Sequence, residues 1–150
     1  VTEALATISG TIDAAQIGQG GTLQNYGLLS GLAAFGNGVE MLNGGAVFNG
    51  FGSAQGAAIV GGFDAVKFDA GAGTVFNGGS LMTAGTSGTG IFLNQGGLVV
   101  NGSPGNTTAK IAGGSHYRQP SRHHHGDQPG QHRRERPWRV PGRHRAGGER

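Results

Sequence analysis

The chain has 150 residues, 33 of them glycine and none cysteine, with a formal net charge of +3. The lack of cysteine excludes a disulfide framework and thiolate metal sites, and no apolar run approaches the roughly 20 residues of a membrane-spanning helix. The charge is unevenly divided: residues 1–114 carry Lys67 and Lys110 against Glu3, Asp13, Glu40, Asp64 and Asp69, a net −3, while 115–150 carry nine arginines against three acids, a net +6.

In chain order, Thr7-Ile8-Ser9-Gly10 reads as the end of one unit, and four similar units follow. Each opens with an apolar-x-apolar triplet: Ala15-Gln16-Ile17, Val39-Glu40-Met41, Val66-Lys67-Phe68 and Ile91-Phe92-Leu93. Next comes glycine, a spacer, an aliphatic residue, a spacer and asparagine. The copies are Gly21-Thr22-Leu23-Gln24-Asn25, Gly45-Ala46-Val47-Phe48-Asn49, Gly73-Thr74-Val75-Phe76-Asn77 and Gly97-Leu98-Val99-Val100-Asn101. A short apolar patch ending in glycine closes each unit, beginning at Leu28, Ile59, Leu81 and Ile111. The asparagines are 24, 28 and 24 residues apart. A fixed period in the twenties is the mark of a chain that stacks one unit on another.

Alternation within these short segments fits strands with one buried face, and none has the length or period of a helix. The pattern predicts an all-β fold, a right-handed parallel β-helix over residues 1–114. It would have about four coils of three short strands, rising about 4.8 Å per coil. Coil corners need φ > 0, which Gly adopts freely and Asn tolerates. Asn25, Asn49, Asn77 and Asn101 are therefore read as a structural column linked by amide hydrogen bonds. The expected core is Ile8, Ile17, Leu23, Leu29, Val39, Met41, Val47, Ile59, Val66, Phe68, Val75, Leu81, Ile91, Leu93, Val99 and Ile111. Both ends look uncapped, so open strand edges are expected to favour self-association.

Residues 115–150 hold all six histidines, the only tryptophan (Trp138) and four of the five prolines. At face value this is a disordered basic tail. The boundary falls inside a unit, however, and a shift of one base restores the repeat. The shifted codons from Trp138 permit Gly-Val-Tyr-Leu, beside Gly90-Ile91-Phe92-Leu93. Those from Arg145 to Glu149 permit Gly-Leu-Ala-Val-Asn, with the asparagine 48 residues beyond Asn101, twice the spacing of 24. The tail is accordingly read as out-of-frame translation of further repeats, which the nucleotide sequence would decide. His123-His124-His125 has imidazoles suited to zinc, copper or nickel, and Arg133-Arg134-Glu135-Arg136 has charges suited to phosphate. Neither has a fold or motif to support it, so no cofactor, metal or specific nucleic acid is expected.

The series from Gly90-Ile91-Phe92-Leu93 through Gly97-Leu98-Val99-Val100-Asn101-Gly102, with its counterparts over residues 6–114, resembles the repetitive passenger regions of bacterial autotransporters. It is similar too to related haemagglutinin- or adhesin-type surface proteins. The resemblance implies secretion across the outer membrane and display at the cell surface as a β stalk, with surface proteins or carbohydrates as partners. No signal peptide is recognisable in residues 1–20. The C-terminal barrel that such families carry is not recognisable either, so the chain looks like an internal fragment.

A non-enzymatic structural or adhesive role is the expectation. The alternative is a polysaccharide-binding or polysaccharide-degrading β-helix using the outer face around Asp64, Lys67 and Asp69, since acid–base chemistry needs such groups within reach of one bond. Gly61-Gly62-Phe63-Asp64 lacks the second glycine of the calcium-binding nonapeptide and occurs once, so calcium is not expected. Outward positions are polar in the first unit (Gln16, Thr22, Gln24) and apolar later. Phe48, Phe76, Phe92, Leu98 and Val100 are therefore expected to form an exposed apolar contact strip along the stack.

Overall fold

A computed structural model describes residues 6–50 and 56–114. The Arg/His-rich tail expected to be disordered, with its His123–His125 and Arg133–Arg136 motifs, lies outside the described residues, as do residues 1–5. The fold is all-β. After β1 (Thr7–Gly10), coil 1 holds β2 (Ala15–Ile17), β3 (Gly21–Asn25) and β4 (Leu28–Gly31). Coil 2 holds β5 (Val39–Met41), β6 (Gly45–Asn49) and β7 (Ala58–Gly61). Coil 3 holds β8 (Val66–Phe68), β9 (Gly73–Asn77) and β10 (Ser80–Thr83). Coil 4 holds β11 (Ile91–Leu93), β12 (Gly97–Asn101) and β13 (Lys110–Ala112).

Every named strand pair is parallel, and each strand pairs with its counterpart one coil away. Three sheets result, ordered β1-β4-β7-β10-β13, β2-β5-β8-β11 and β3-β6-β9-β12, which are here the first, second and third sheets. The chain is thus a parallel β-solenoid of about four turns. The triplets and the glycine-to-asparagine segments are strands over the residues expected. The third strands after coil 1 begin one residue earlier than their apolar patches, at Ala58, Ser80 and Lys110.

Stacking in register places like on like. Val39, Val66 and Ile91 form one inward column, Met41, Phe68 and Leu93 another, and Val47, Val75 and Val99 a third. All but Val99 of these are fully buried. Burying such a side chain contributes about 1.5–3 kcal/mol, and the contacts are supplied by neighbouring coils only. Ile17, Leu23, Val99 and Ile111, on the two outer coils, are partly buried against this core. Ile8 departs from the expected core: it is 54% exposed. It is in register with Leu29, but β1 is the outermost described strand of its sheet and is packed from one side.

Glycine is needed where the second and third sheets meet. Gly45 has φ 124°, and a Cβ there would stand 2.8 Å from the buried Met41 Cε. A Cβ on Gly73 would stand 2.7 Å from the Phe68 ring. The glycine column therefore leaves the space that the large core side chains fill. Among the described residues, positive φ falls on Gly44, Gly45, Gly71, Gly96 and Gly97, where the second sheet gives way to the third, and on Gly50 and Gly102 just after two of the motif asparagines, which themselves end their strands.

The connections reveal a second rhythm. Between the third and first sheets they hold two residues in coils 1 and 3 (Tyr26-Gly27 and Gly78-Gly79) but eight in coils 2 and 4 (50–57 and 102–109). Between the first and second sheets they alternate the other way: four residues at 11–14 and 62–65, seven at 32–38 and 84–90. Equivalent positions, such as Gly21 and Gly73 or Asn49 and Asn101, recur after 52 residues. The repeating unit of the surface is two coils, although that of the core is one.

Candidate functional site

The four motif asparagines sit at the corner between the third and first sheets. The amide nitrogen of Asn25 donates to Asn49 Oδ1 at 2.7 Å, Asn49 to Asn77 Oδ1 at 2.8 Å, and Asn77 to Asn101 Oδ1 at 2.7 Å. Each of these nitrogens also donates to a carbonyl opening the next coil's third strand: Ala58, Ser80 and Lys110 at 3.0–3.1 Å. Asn25, Asn49 and Asn77 are buried. In coils 1 and 3 the side-chain oxygen also accepts from the tight turn, from Gly27 N and Gly79 N. With their donors and acceptors directed along the stack, these side chains hold sheet to sheet and coil to coil.

On the outer face of the second sheet, Gln16, Glu40, Lys67 and Phe92 form one register row. Lys67 Nζ lies 2.9 Å from Glu40 Oε1 and 2.8 Å from Asp69 Oδ1. Gln16 Nε2 donates to Glu40 Oε2 at 2.5 Å. Partial burial works to lower the Lys67 pKa, but its hydrogen bonds to Asp69 and Glu40 outweigh this and hold the ammonium above the ordinary lysine range. Burial likewise works to raise the Glu40 pKa, and the bonds from Lys67 and Gln16 outweigh it, leaving the carboxyl below its usual range.

Asp64 does not join this row. It is buried in the 62–65 turn, and its Oδ1 accepts the Thr89 backbone N–H at 2.9 Å. Burial pushes its pKa up, partly offset by that hydrogen bond. One two-coil repeat earlier, Asp13 Oδ1 likewise accepts a backbone N–H across the stack, that of Asn37 at 2.6 Å. The expected trio of Asp64, Lys67 and Asp69 is therefore divided. Asp64 caps a corner, and the partner that sequence reasoning missed is Glu40, a coil away. The signal for it was present, since Glu40 and Lys67 are both the middle residue of their triplets.

The five residues expected to form one apolar strip lie on two faces. Phe92 is on the second sheet, while Phe48, Phe76, Val100 and Leu98 are on the third, where Gln24, Phe48, Phe76 and Val100 form one row and Leu98 continues another. The Phe48 and Phe76 rings stack with centroids 5.0 Å apart and planes 12° from parallel, matching the spacing of adjacent strands. Each ring covers a face of the other, so both are half-buried, while Leu98 is 51% exposed. The most exposed aromatic among the described residues is elsewhere. Phe35, in the 32–38 connection, is 83% exposed. Its ring is tilted against that of Phe63 with centroids 6.2 Å apart, and Leu32 and Ile12 of the same corner are also exposed. The run Leu32-Ala33-Ala34-Phe35 between two glycines was the available signal, but it falls outside any strand.

A groove of about 370 Å³ opens at the asparagine corner of coil 3. Among the described residues Phe76 and Val100 line it with apolar side chains, beside Gly50, Gly78, Ser103 and Asn106. Coil 3 turns there in two residues where coil 4 uses eight. Asn106 is held by hydrogen bonds: its Nδ2 donates to Gly78 O at 2.6 Å, and its Oδ1 accepts from Thr108 N and Thr108 Oγ1. Ser103 and Asn106 exchange backbone hydrogen bonds across Pro104-Gly105, closing the loop tip.

Among the described residues there is no group of three or more His, Cys, Asp or Glu side chains placed to hold a metal ion, and no helix long and apolar enough to cross a membrane. No protein-family model, curated protein or solved structure matches the chain.

Proposed function

We propose that the chain is a structural and adhesive repeat segment of a secreted or surface-displayed bacterial protein, acting through contact and without catalysis. The observation that supports this reading is the division of labour around the stack. The buried polar side chains Asn25, Asn49, Asn77 and Asp64 are bound to one another or to backbone. The outward face of the third sheet carries Leu98 and Val100 in solvent, and the corner between the first and second sheets carries Leu32 and Phe35. Exposed apolar side chains on a rigid scaffold mark contact surfaces. Acid–base cleavage of a polysaccharide needs carboxyl groups free to face one bond. Here Glu40 and Asp69 are paired with Lys67, and Asp64 is turned to the Thr89 amide.

The test is retention of purified chain on immobilised bacterial cells, host cells and extracellular-matrix proteins, beside release of reducing sugar from a polysaccharide panel. Binding that falls several-fold in the Leu98→Ser, Val100→Ser double variant is the expected result. No retention on any surface would remove the adhesive reading. Sugar release abolished by Asp69→Ala would replace it with the enzymatic one.

A further inference from the structure

We propose that Asn43 is a site of spontaneous covalent modification, deamidation through a cyclic imide, which the fold singles out from five Asn-Gly pairs. The inference is independent of the adhesive role and holds wherever the protein is located.

The pairs are Asn37-Gly38, Asn43-Gly44, Asn49-Gly50, Asn77-Gly78 and Asn101-Gly102. In such a pair the backbone nitrogen of glycine can attack the asparagine Cγ, because glycine has no Cβ to crowd the approach. The new N–Cγ bond closes a five-membered imide. The attacking nitrogen gives its proton to solvent base, and the Cγ–Nδ2 bond breaks with ammonia leaving. Water then opens the ring at either carbonyl, leaving aspartate or its β-linked isomer, isoaspartate. The reaction needs a glycine N–H that is not held elsewhere, and access for base and water.

Four of the pairs are denied these conditions. Gly38 N donates to Asp64 O at 2.9 Å, Gly50 N to Asn25 O at 2.9 Å, Gly78 N to Asn49 O at 2.6 Å and Gly102 N to Asn77 O at 2.8 Å. Asn37, Asn49 and Asn77 are also buried, so they react only when the coils open. Asn43 differs on both counts. It is exposed, in the turn between β5 and β6. The residues flanking the pair are tied down, Leu42 N to Ile17 O at 2.9 Å and Gly45 N to Ala72 O at 3.4 Å. Among the described residues no backbone hydrogen bond holds the Gly44 N–H. The neighbouring segments at this corner, 18–20 in coil 1 and 69–72 in coil 3, are all described.

Coil 4 supplies an internal contrast. Asn94 Nδ2 donates to Asp69 O at 2.7 Å, as Asn43 Nδ2 donates to Gly18 O at 2.6 Å, so each side chain pins its turn to the coil before. Both asparagines are exposed. Asn94, however, is followed by Gln95, whose Cβ crowds the attacking nitrogen. Asn43 combines the pin with a following glycine. Loss of its amide removes the pin, because a carboxylate has no hydrogen to give to Gly18 O. It also adds negative charge to a stack that is already net acidic. Isoaspartate goes further and lengthens the main chain by one atom, between two strands held in register with coil 1.

The test is peptide mapping by mass spectrometry of the full chain during incubation at mildly alkaline pH, beside the same chain unfolded in urea. In the folded chain Asn43 should be modified first, at least about tenfold faster than Asn49 or Asn77, whose reaction waits on opening of the coils. Its products should include both aspartate and isoaspartate, the mark of the cyclic imide. Asn101, exposed but with its glycine N–H bonded, should lag behind Asn43, and so should Asn94. In urea the five Asn-Gly pairs should react at similar rates while Asn94 stays slow. The proposal is overturned if Asn49, Asn77, Asn94 or Asn101 keeps pace with Asn43 in the folded chain. It is equally overturned if folded Asn43 stays intact while the unfolded chain reacts, or if it yields aspartate alone. Asn43→Gln should abolish the early isoaspartate, and its persistence in that variant would place the site elsewhere.

Discussion

The asparagine corner has two sides that follow different rules. Inside, one pattern repeats at every coil: Asn25, Asn49, Asn77 and Asn101 are in register and joined amide to amide. Outside, the same corner alternates between a two-residue turn and an eight-residue loop. The interior is constrained by the stacking of each coil on the next, which keeps the register and holds each core column to apolar residues and this corner to asparagine. The exterior is free to vary, and here it varies with a period of two coils. The difference separates what holds the stack together from what it can offer to a partner.

The sharpest way to break the inner rule is to remove one buried rung. Asn49 is fully buried, donates to Asn77 and Ser80, and accepts from Asn25. Asn49→Leu keeps the volume and removes all three bonds. Each buried polar group left without a partner costs about 1–3 kcal/mol, and several carbonyl and amide groups here retain a second partner, so a total loss of about 2–4 kcal/mol is expected. Asn101→Leu, at the exposed end of the column, should cost about 1 kcal/mol or less. Urea denaturation of both variants checks the contrast. Equal losses would mean that the column does not act through its buried hydrogen bonds.

A smaller effect is expected on the outer face of the second sheet. The Glu40 carboxyl is held below its unfolded range, so the pair with Lys67 stabilises the fold above the ordinary glutamate pKa. That stability is lost as pH falls through the lower folded value. The raised Lys67 pKa gives the mirror case: its contribution is present below the ordinary lysine value and lost as pH rises through the folded one. Glu40→Gln should lower stability at neutral pH by about 1 kcal/mol, typical of a partly screened pair. The gap from the wild type should close on acidification, as thermal melts between neutral pH and about pH 3 would show. A gap constant in pH would assign the loss to packing.

Much of this was legible in the sequence because stacking places like residues on like, and at the glycine and asparagine corners the same residue. Gly45 must lack a Cβ beside Met41, and Asn49 must present both a donor and an acceptor. Such positions repeat coil after coil and stand out from their neighbours. The two-coil rhythm was hidden by compensation. A short turn such as Tyr26-Gly27 is followed by the long 32–38 link, and the long 50–57 loop by the short 62–65 link. The asparagine spacings of 24, 28 and 24 therefore record only the small residue of two large alternations. Asp64 was misplaced for a related reason. Adjacency in sequence to Lys67 suggested one cluster, but a corner separates them and turns the carboxyl toward Thr89. Glu40, far away in sequence, is brought to Lys67 by the register.

The smallest expected effect on stability carries the most information about the exterior. Phe35 is 83% exposed and touches Phe63 at a tilted ring contact. Phe35→Ser should therefore change folding stability by no more than about 0.5 kcal/mol, as surface changes usually do. The two-coil repeat supplies an internal reference: the position equivalent to Phe35 in the 84–90 connection is Ser87. The substitution thus places at one corner the residue that the fold already accepts at the other. An unchanged denaturation midpoint would locate Phe35 outside the set of residues that hold the coils together. A loss above about 1 kcal/mol would mean that the Phe35–Phe63 contact pins the corner. In that case the apolar side chains would belong to the scaffold and not to the surface it presents.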